Sequence, residues 1–207
     1  MSITLIIIIV TAGISLWAWN DYSVMNRWIL NPYQVAQKGQ YYRLLTAGFL
    51  HADWMHLIFN MISFYAFGGL MEQVFASLFG ASGTIYYVGF YLIAIVISSI
   101  PTFLKHRKDS RYNSLGASGG VSAIIFAGIL ISPLTKLYLF FIPIGISGFI
   151  FGPLYLIYSY YESQRGAGTV NHDAHLYGAL FGVLFMCLVY PPVLPQFIDQ
   201  IAGWRLF

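Results

Sequence analysis

Charged side chains are scarce in this sequence. Lys and Arg contribute 10 and Asp and Glu 7 of the 207 residues, which is 8% together. A soluble domain carries roughly 25% charged residues, so there is too little charge here to cover a surface that faces water. Because 58% of the residues are hydrophobic, we expect most of the exterior to face lipid. With a net charge of +3, no strongly basic tail suggests binding to nucleic acid.

Cysteine and metal-binding motifs are also nearly missing. Cys187 is the only cysteine, so no disulfide can form within the chain. The histidines do not follow the HExxH spacing of zinc hydrolases, and Cys187 offers no obvious fourth ligand. These observations argue against a zinc site.

Long hydrophobic runs dominate what is present, and a helix needs about 20 apolar residues to cross a membrane. The predicted spans are roughly 3–19, 54–71, 84–104, 114–132, 137–160 and 173–190. The first run has no basic segment before it and no small-residue cleavage site after it, so we expect a permanent span. Without strand alternation, repeats or linkers, the sequence predicts an all-α membrane protein. Residues 1–207 would form one domain, a six-helix bundle with a long, partly membrane-embedded first loop at about 20–53.

Basic residues are distributed unequally between the two ends of these spans. If the spans alternate in direction, the end with the N-terminus carries Lys136 and Arg205. The other end carries Arg27, Lys38, Arg43, Lys105, Arg107, Lys108, Arg111 and Arg165. The positive-inside rule applied alone would place the N-terminus outside.

The second span begins with the polar stretch HADWMHLIFN. His56, Asn60 and Ser63 follow the spacing i, i+4, i+7 and share one helical face, with His51 just upstream. Polar residues within membrane spans face the bundle interior and often mark a functional site. Ordinary hydrogen bonding between helices is the alternative for these three side chains.

The fourth span begins with GASGGVS, in which Ser118 and Ser122 lie one turn apart. Small residues at this spacing allow close helix packing, which is one interpretation. The other is a nucleophile, because the first turn of a helix has unpaired backbone N–H groups that can stabilise a developing oxyanion.

The sixth span begins NHDAHLYGALFG and places His175, Gly178 and Gly182 on one face. The glycines allow a neighbouring helix to approach, and His175 would project into the same contact, within reach of a serine. Asp173 points away from that face, so we expect it to cap the helix and not to serve as a triad acid. Spans two, four and six start from the same side, so their polar groups are predicted to be level in depth.

In combination, these motifs resemble the rhomboid intramembrane serine proteases. The matching stretches are GASG, HADWMHLIFN and AHLYGALFG, together with YYR at 41–43 and GGLME at 68–72. The resemblance extends over about residues 40–190 and has the six-helix minimal architecture of the family. A lone GASG would not be specific, whereas the set in this order and spacing is.

The resemblance implies a catalytic dyad without an acid partner. Ser118 would be the nucleophile and His175 its general base. His56 and Asn60 would assist the Ser118 backbone N–H in stabilising the oxyanion, and Gly116 would let the preceding loop bend around it.

Further residues are assigned structural or gating roles near the site by the same resemblance. These are His51, Arg43, Gly178, Gly182 and Ser122. Ser122 is also a departure, because many members carry an aromatic residue there that stacks on the catalytic histidine. Which group holds His175 instead is left open by the sequence.

The implied reaction is hydrolysis of peptide bonds in or near transmembrane segments of membrane-protein substrates, within a lipid bilayer and without nucleic acid. The resemblance implies no metal and no organic cofactor. The implied location is the inner membrane of a bacterial cell, with the active site toward the extracytoplasmic face, against the tally of basic residues. A transporter or channel is the rival interpretation, although the polar groups form one shallow cluster and no continuous path. A non-catalytic membrane chaperone would be expected to lack Ser118 or His175, and both are present.

Overall fold

The computed structural model describes residues 1–138, 144–165 and 170–205, and most of them are helical. The helices are α1 (Ile3–Asn20), α2 (Tyr22–Trp28), α3 (Pro32–Lys38), α4 (Arg43–Thr46), α5 (Trp54–Phe79), α6 (Gly83–His106), α7 (Ser118–Ile131), α8 (Gly148–Arg165), α9 (His172–Val189) and α10 (Val193–Ala202). Single 3₁₀ turns cover Ala47–Phe49 and Gly80–Ser82, and two short strands are β1 (Lys136–Tyr138) and β2 (Gly145–Ser147).

Helix α7 is the centre of the bundle. Eleven of its fourteen residues are buried, and it packs against α5, α6 and α9. A helix that is apolar on every side is stable only when other helices surround it. Around it, aromatic side chains of α5 and α6 fill the core, including Phe64, Phe75, Tyr87 and Tyr91.

Three segments of the described chain are long and apolar enough to cross a membrane: Ile3–Asn20, Trp54–His106 and His172–Val189. The second of these contains both α5 and α6, which are joined at the 3₁₀ turn after Phe79. Helix α7 is apolar but has only 14 residues, and α8 is not among the three segments. The apolar helices agree with a membrane bundle, but the count of six spans is not confirmed.

The predicted fifth span, 137–160, is wrong at its start. Residues 136–138 pair in antiparallel register with 145–147, Leu137 lying opposite Ile146. Residues 139–143 of that predicted span lie outside the described residues. This pair of short strands corrects the all-α prediction, and Tyr138 and Ile146 are the two of its six residues whose types favour extended backbone.

The region predicted as a long first loop is folded. It contains α2, α3, α4 and a 3₁₀ turn, and α3 and α4 pack against α6. Local capping explains these short helices: Asp21 accepts from the backbone N–H groups of Ser23 and Val24, and Asn31 accepts from that of Gln34. Helix α3 ends at Gly39, whose φ of 66° is the left-handed conformation that favours glycine.

Helix α5 extends eight residues beyond the predicted end at residue 71. The predicted span ends just before the charged Glu72, and the Glu72 carboxylate is paired at the start of α1. It accepts from the backbone N–H groups of Ile3 (2.8 Å) and Thr4 (2.9 Å) and from the Thr4 hydroxyl (2.8 Å). A carboxylate at a helix N-terminus is stabilised by the unpaired N–H groups there, so the charge does not end the helix.

Candidate active site

Helices α5, α7 and α9 all begin at one end of the bundle, around a cleft of about 590 Å³. Asp53 fixes the start of α5 by accepting from the backbone N–H of His56 at 2.8 Å. Asn171 does the same for α9, accepting from the N–H of Ala174 at 3.1 Å. The cleft is lined by side chains from the three predicted motifs, among them His56, Asn60, Ser63, Ser118, Ser122 and His175.

Ser118 is the first residue of α7, and the loop before it turns sharply at Gly116. Gly116 has φ 126°, a conformation that L side chains rarely adopt, and a Cβ there would lie 2.8 Å from the His56 ring. Its N–H donates to the Ala47 carbonyl at 2.9 Å, which ties the loop to the folded first region. In the first turn of α7 the backbone N–H groups have no intrahelical partner, so they are available close to the Ser118 hydroxyl.

His175 approaches Ser118 because α9 and α7 touch along their backbones. A Cβ on Gly178 would overlap the carbonyl oxygen of Gly119 and lie 2.8 Å from its carbonyl carbon. One turn further, a Cβ on Gly182 would lie 2.8 Å from the Cα of Ala123. The two glycines therefore bring the helices as close as helices can pack.

The resulting pair faces the cleft from two sides. Ser118 and His175 each lie one turn or less before their respective contact residues, and both are half-buried. Among the hydrogen bonds of the described residues there is none between Ser118 Oγ and the His175 ring. Catalytic hydrogen bonds are often long before substrate binds, so the lack of this bond is compatible with a nucleophile and its base.

His56 presents a hydrogen-bond donor to the cleft. Its Nδ1 accepts from the backbone N–H of Ala52 at 3.4 Å, so in the neutral ring the proton lies on Nε2. The Nε2 edge packs on the bare backbone of Gly116, two residues before Ser118. Asn60 is buried, and one N–H of its amide donates to the His56 carbonyl at 2.9 Å. An amide nitrogen carries two N–H groups, so a second donor remains on a side chain that lines the cleft.

A residue that the sequence reasoning did not identify contacts His175 directly. The Tyr155 hydroxyl on α8 lies 3.0 Å from His175 Nδ1, and the two rings are near-parallel with centroids 6.2 Å apart. Nothing in the local sequence marks Tyr155 among the tyrosines of α8. A helical projection of α8 would have been the one available signal, since Tyr155 lies on the face formed by Gly148, Gly152, Ser159 and Ser163.

Asp173 is not the helix cap that the sequence predicted. Asn171 takes that position, and Asp173 lies in the first turn of α9. Its carboxylate accepts from the Ser163 hydroxyl and pairs with Lys105 Nζ at 3.1 Å. Because these partners lie on α8 and α6, Asp173 faces away from His175, as expected for a residue that is no triad acid.

His51 and Arg43 lie in the folded first region and not in the cleft lining. The Arg43 guanidinium is buried and donates to the backbone carbonyls of Asn26 (2.8 Å) and Ile29 (2.7 Å), which holds α2 against α4. His51 is fully buried with Nδ1 2.9 Å from the Ser15 hydroxyl of α1. Burial lowers the pKa of His51 to about 3, so its ring is neutral. Structural or gating roles for both stay predictions.

Comparison with known proteins identifies the family. A family model described as the rhomboid domain matches residues 38–192, which is most of the chain. The chain belongs to the rhomboid family. It is therefore a membrane protein from a family of intramembrane proteases, and its apolar helices fit that assignment.

Three curated rhomboid proteins show the range of relatives. RHOMBOID-like protein 12, mitochondrial, of Arabidopsis thaliana is 29% identical over 184 residues, covering 84% of this chain and 54% of the relative. Rhomboid-like protein 11, chloroplastic, of the same plant is 30% identical over 201 residues, covering 88% and 64%. Rhomboid protease GlpG of Yersinia pseudotuberculosis is 25% identical over 184 residues, covering 89% and 60%. This rhomboid chain thus spans between about half and two thirds of the length of these relatives.

Location is the point on which these relatives do not support the sequence-based prediction. Two of them are named for mitochondria and chloroplasts and one comes from a bacterium, so the bacterial inner membrane is not favoured for this rhomboid.

In the described ranges, no three His, Cys, Asp or Glu side chains are grouped so as to hold a metal ion.

Proposed function

We propose that this rhomboid is an intramembrane serine endopeptidase in which Ser118 is the nucleophile and His175 the general base. The observation that carries the proposal is the backbone contact of Gly178 with Gly119, which brings the starts of α7 and α9 together at the cleft. One relative is named a rhomboid protease, which supports the reaction class. We further propose that residues 1–207 form one six-span domain whose first loop is partly embedded in the membrane.

In the proposed reaction, His175 takes the proton of the Ser118 hydroxyl through Nε2 while Oγ attacks the substrate carbonyl carbon. The developing oxyanion would be stabilised by the first-turn N–H of Ser118, by His56 Nε2–H and by the Asn60 amide. His175 then gives its proton to the leaving amine, and an acyl-enzyme remains on Ser118. Water, deprotonated by His175, hydrolyses that ester and restores the serine.

The proposed substrates are membrane proteins cut in or near a transmembrane segment. A substrate helix hides its carbonyls in i to i−4 hydrogen bonds, so a segment that unwinds easily is the best candidate. The cleft lies at the start of three helices and not at mid-bundle, which supports cleavage close to one membrane surface. We propose an extracytoplasmic-facing site by family resemblance, although the uneven distribution of basic residues argues for the opposite orientation.

A cleavage assay tests the proposal directly. Wild-type protein in lipid vesicles is given a single-span reporter whose membrane helix contains Gly and Ala near one end. Cleavage is expected, and Ser118→Ala and His175→Ala should each abolish it while the unfolding temperature in detergent stays unchanged. Ser82→Ala is the matched control, because this exposed serine lies in the 3₁₀ turn after α5 and should leave cleavage intact. Cleavage by either dyad variant at the wild-type rate would refute the dyad.

Asn60→Ala separates an oxyanion donor from a structural amide. Removing one such donor typically lowers kcat by about 10²–10³-fold. We expect a slow but measurable reaction, followed with the same reporter, because the Ser118 N–H and His56 remain. A loss as complete as that of Ser118→Ala, together with a lower unfolding temperature, would mean that the Asn60 bond to the His56 carbonyl is purely structural.

A further inference from the structure

Tyr155 is the one large side chain on the face with which α8 meets the bundle. The buried residues of that helix are all small: Gly148, Gly152, Ser159 and Ser163. The Tyr155 ring is held between Phe126 of α7 and Phe151 of α8, with ring centroids at 5.9 and 5.4 Å. Its hydroxyl therefore reaches His175 Nδ1 from a fixed position and not as a mobile surface group.

The contact between Tyr155 and His175 matters because of what a general base requires. To take a proton at Nε2, a neutral imidazole must carry its own proton on Nδ1, and that N–H needs an acceptor. The Tyr155 oxygen, 3.0 Å away, is such an acceptor. It also remains bonded to Nδ1–H when the ring becomes a cation, so it stabilises the form that appears during catalysis.

When the Tyr155 oxygen accepts from His175, the Tyr155 O–H needs a hydrogen-bond acceptor of its own. The hydroxyls of Ser122 on α7 and Ser159 on α8 lie beside the Tyr155 hydroxyl. Ser159 Oγ is buried without a hydrogen-bond partner among the described residues, so it is free to accept. In such a chain His175 Nδ1–H would donate to the Tyr155 oxygen, and the Tyr155 O–H would turn to donate to one of these serines.

Other groups around His175 do not serve Nδ1. Asp173 faces Lys105 and Ser163. The His172 ring is near-perpendicular to that of His175 at 5.7 Å between centroids, which is an edge contact.

We propose that Tyr155 is the positioning residue of the dyad: it fixes the His175 ring and its tautomer, so that Nε2 is left free to take the Ser118 proton. The proposal rests on the proposed function, because it assigns a role within the same reaction. It also answers which group holds His175 when position 122 is a serine.

Tyr155→Phe tests the hydroxyl while keeping the ring. One hydrogen bond to a group that becomes charged is worth about tenfold or more in rate, so kcat for the reporter should fall about tenfold at unchanged KM. The unfolding temperature should stay within the error of the wild type, which a structural role would not predict. Tyr160→Phe is the matched control, since this exposed tyrosine lies on the same helix, and it should behave as wild type.

The outcomes separate the two proposals. If the wild type does not cut the reporter, the proposed function fails, and the role of Tyr155 fails with it. If the wild type cuts it and Tyr155→Phe has the wild-type kcat, only the role of Tyr155 is overturned.

A second measurement does not depend on any Tyr155 variant being folded. In ¹⁵N-histidine spectra of the wild type, the His175 signals, assigned by their loss in His175→Ala, should show a protonated Nδ1 and a bare Nε2. A proton on Nε2 in the neutral ring would overturn the proposal.

Discussion

Helices α9 and α8 both contribute to the candidate site, but they are attached to the bundle by different means. Helix α9 lies against α7 with backbone on backbone, since Gly178 and Gly182 leave no room even for a methyl group. Helix α8 buries only small residues and has polar contacts from Tyr155 and Ser163 to α9. The distance between serine and histidine is therefore set by backbone packing, whereas the orientation of the histidine depends on separate hydrogen bonds.

The outward faces of the two helices do not differ in this way, because α9 also exposes apolar residues: Tyr177, Leu180, Leu184 and Leu188. Helix α8 exposes Leu154, Ile157, Tyr158, Tyr160 and Tyr161. Apolar side chains of this kind suit a lipid surrounding, and Tyr158 also makes an edge contact with His172 of α9 at 5.5 Å between ring centroids. The comparison teaches that α8 is the part of the site whose contacts can be removed one at a time, while those of α9 cannot.

The largest effect is expected from Gly178→Ala, which disrupts the close packing of α9 against α7. The new Cβ would overlap the Gly119 carbonyl oxygen, so the helices must separate. Overpacking of this kind costs about 1–3 kcal/mol, and we expect a clearly lower unfolding temperature together with strongly reduced cleavage.

Gly152→Ala on α8 is the matched control for that change. Its Cβ would meet Phe126 Cε1 at 3.5 Å, an ordinary van der Waals contact. Alanine is also a better helix former than glycine by up to about 1 kcal/mol, so the unfolding temperature should stay the same or rise. Equal destabilisation by both variants would show that the two interfaces do not differ as described.

A smaller effect is expected from Ser163→Ala, which removes one polar contact of α8. Asp173 keeps its pairing with Lys105, so the loss should be about 1 kcal/mol of unfolding free energy or less. Cleavage of the reporter should fall only slightly, because the Tyr155 contact with His175 remains. Gln164→Ala, at an exposed neighbouring position, is the control, and a loss as large as that of Gly178→Ala would contradict the account.

The sequence predicted the parts of this protein that follow from helical periodicity. Helices lie where five of the six spans were expected, and residues 56, 118 and 175 line one cleft because spans that alternate in direction start level with one another. The YYR stretch was also expected near the site, but Arg43 supports the first region from outside the cleft. Roles for all of these residues stay predictions until activity is measured.

What the sequence did not predict depends on contacts between distant segments. Tyr155 matters only because α8 turns that residue, and not Tyr158, toward His175. Helix α10 was missed because it is short and begins after two prolines, although its Val193 is fully buried. Helix α5 continues through Glu72 because that carboxylate is paired with the N–H groups of Ile3 and Thr4, which are almost seventy residues away in the chain and give no local signal.

The most direct test of the central claim is labelling by a fluorophosphonate probe, which reacts only with an activated serine. Wild-type protein and Ser118→Ala are compared in detergent, with folding of both checked by thermal unfolding. The account predicts that the wild type is labelled and that the label is absent from Ser118→Ala. Equal labelling of the two proteins, or no labelling of a folded wild type, would contradict the assignment of Ser118 as the nucleophile.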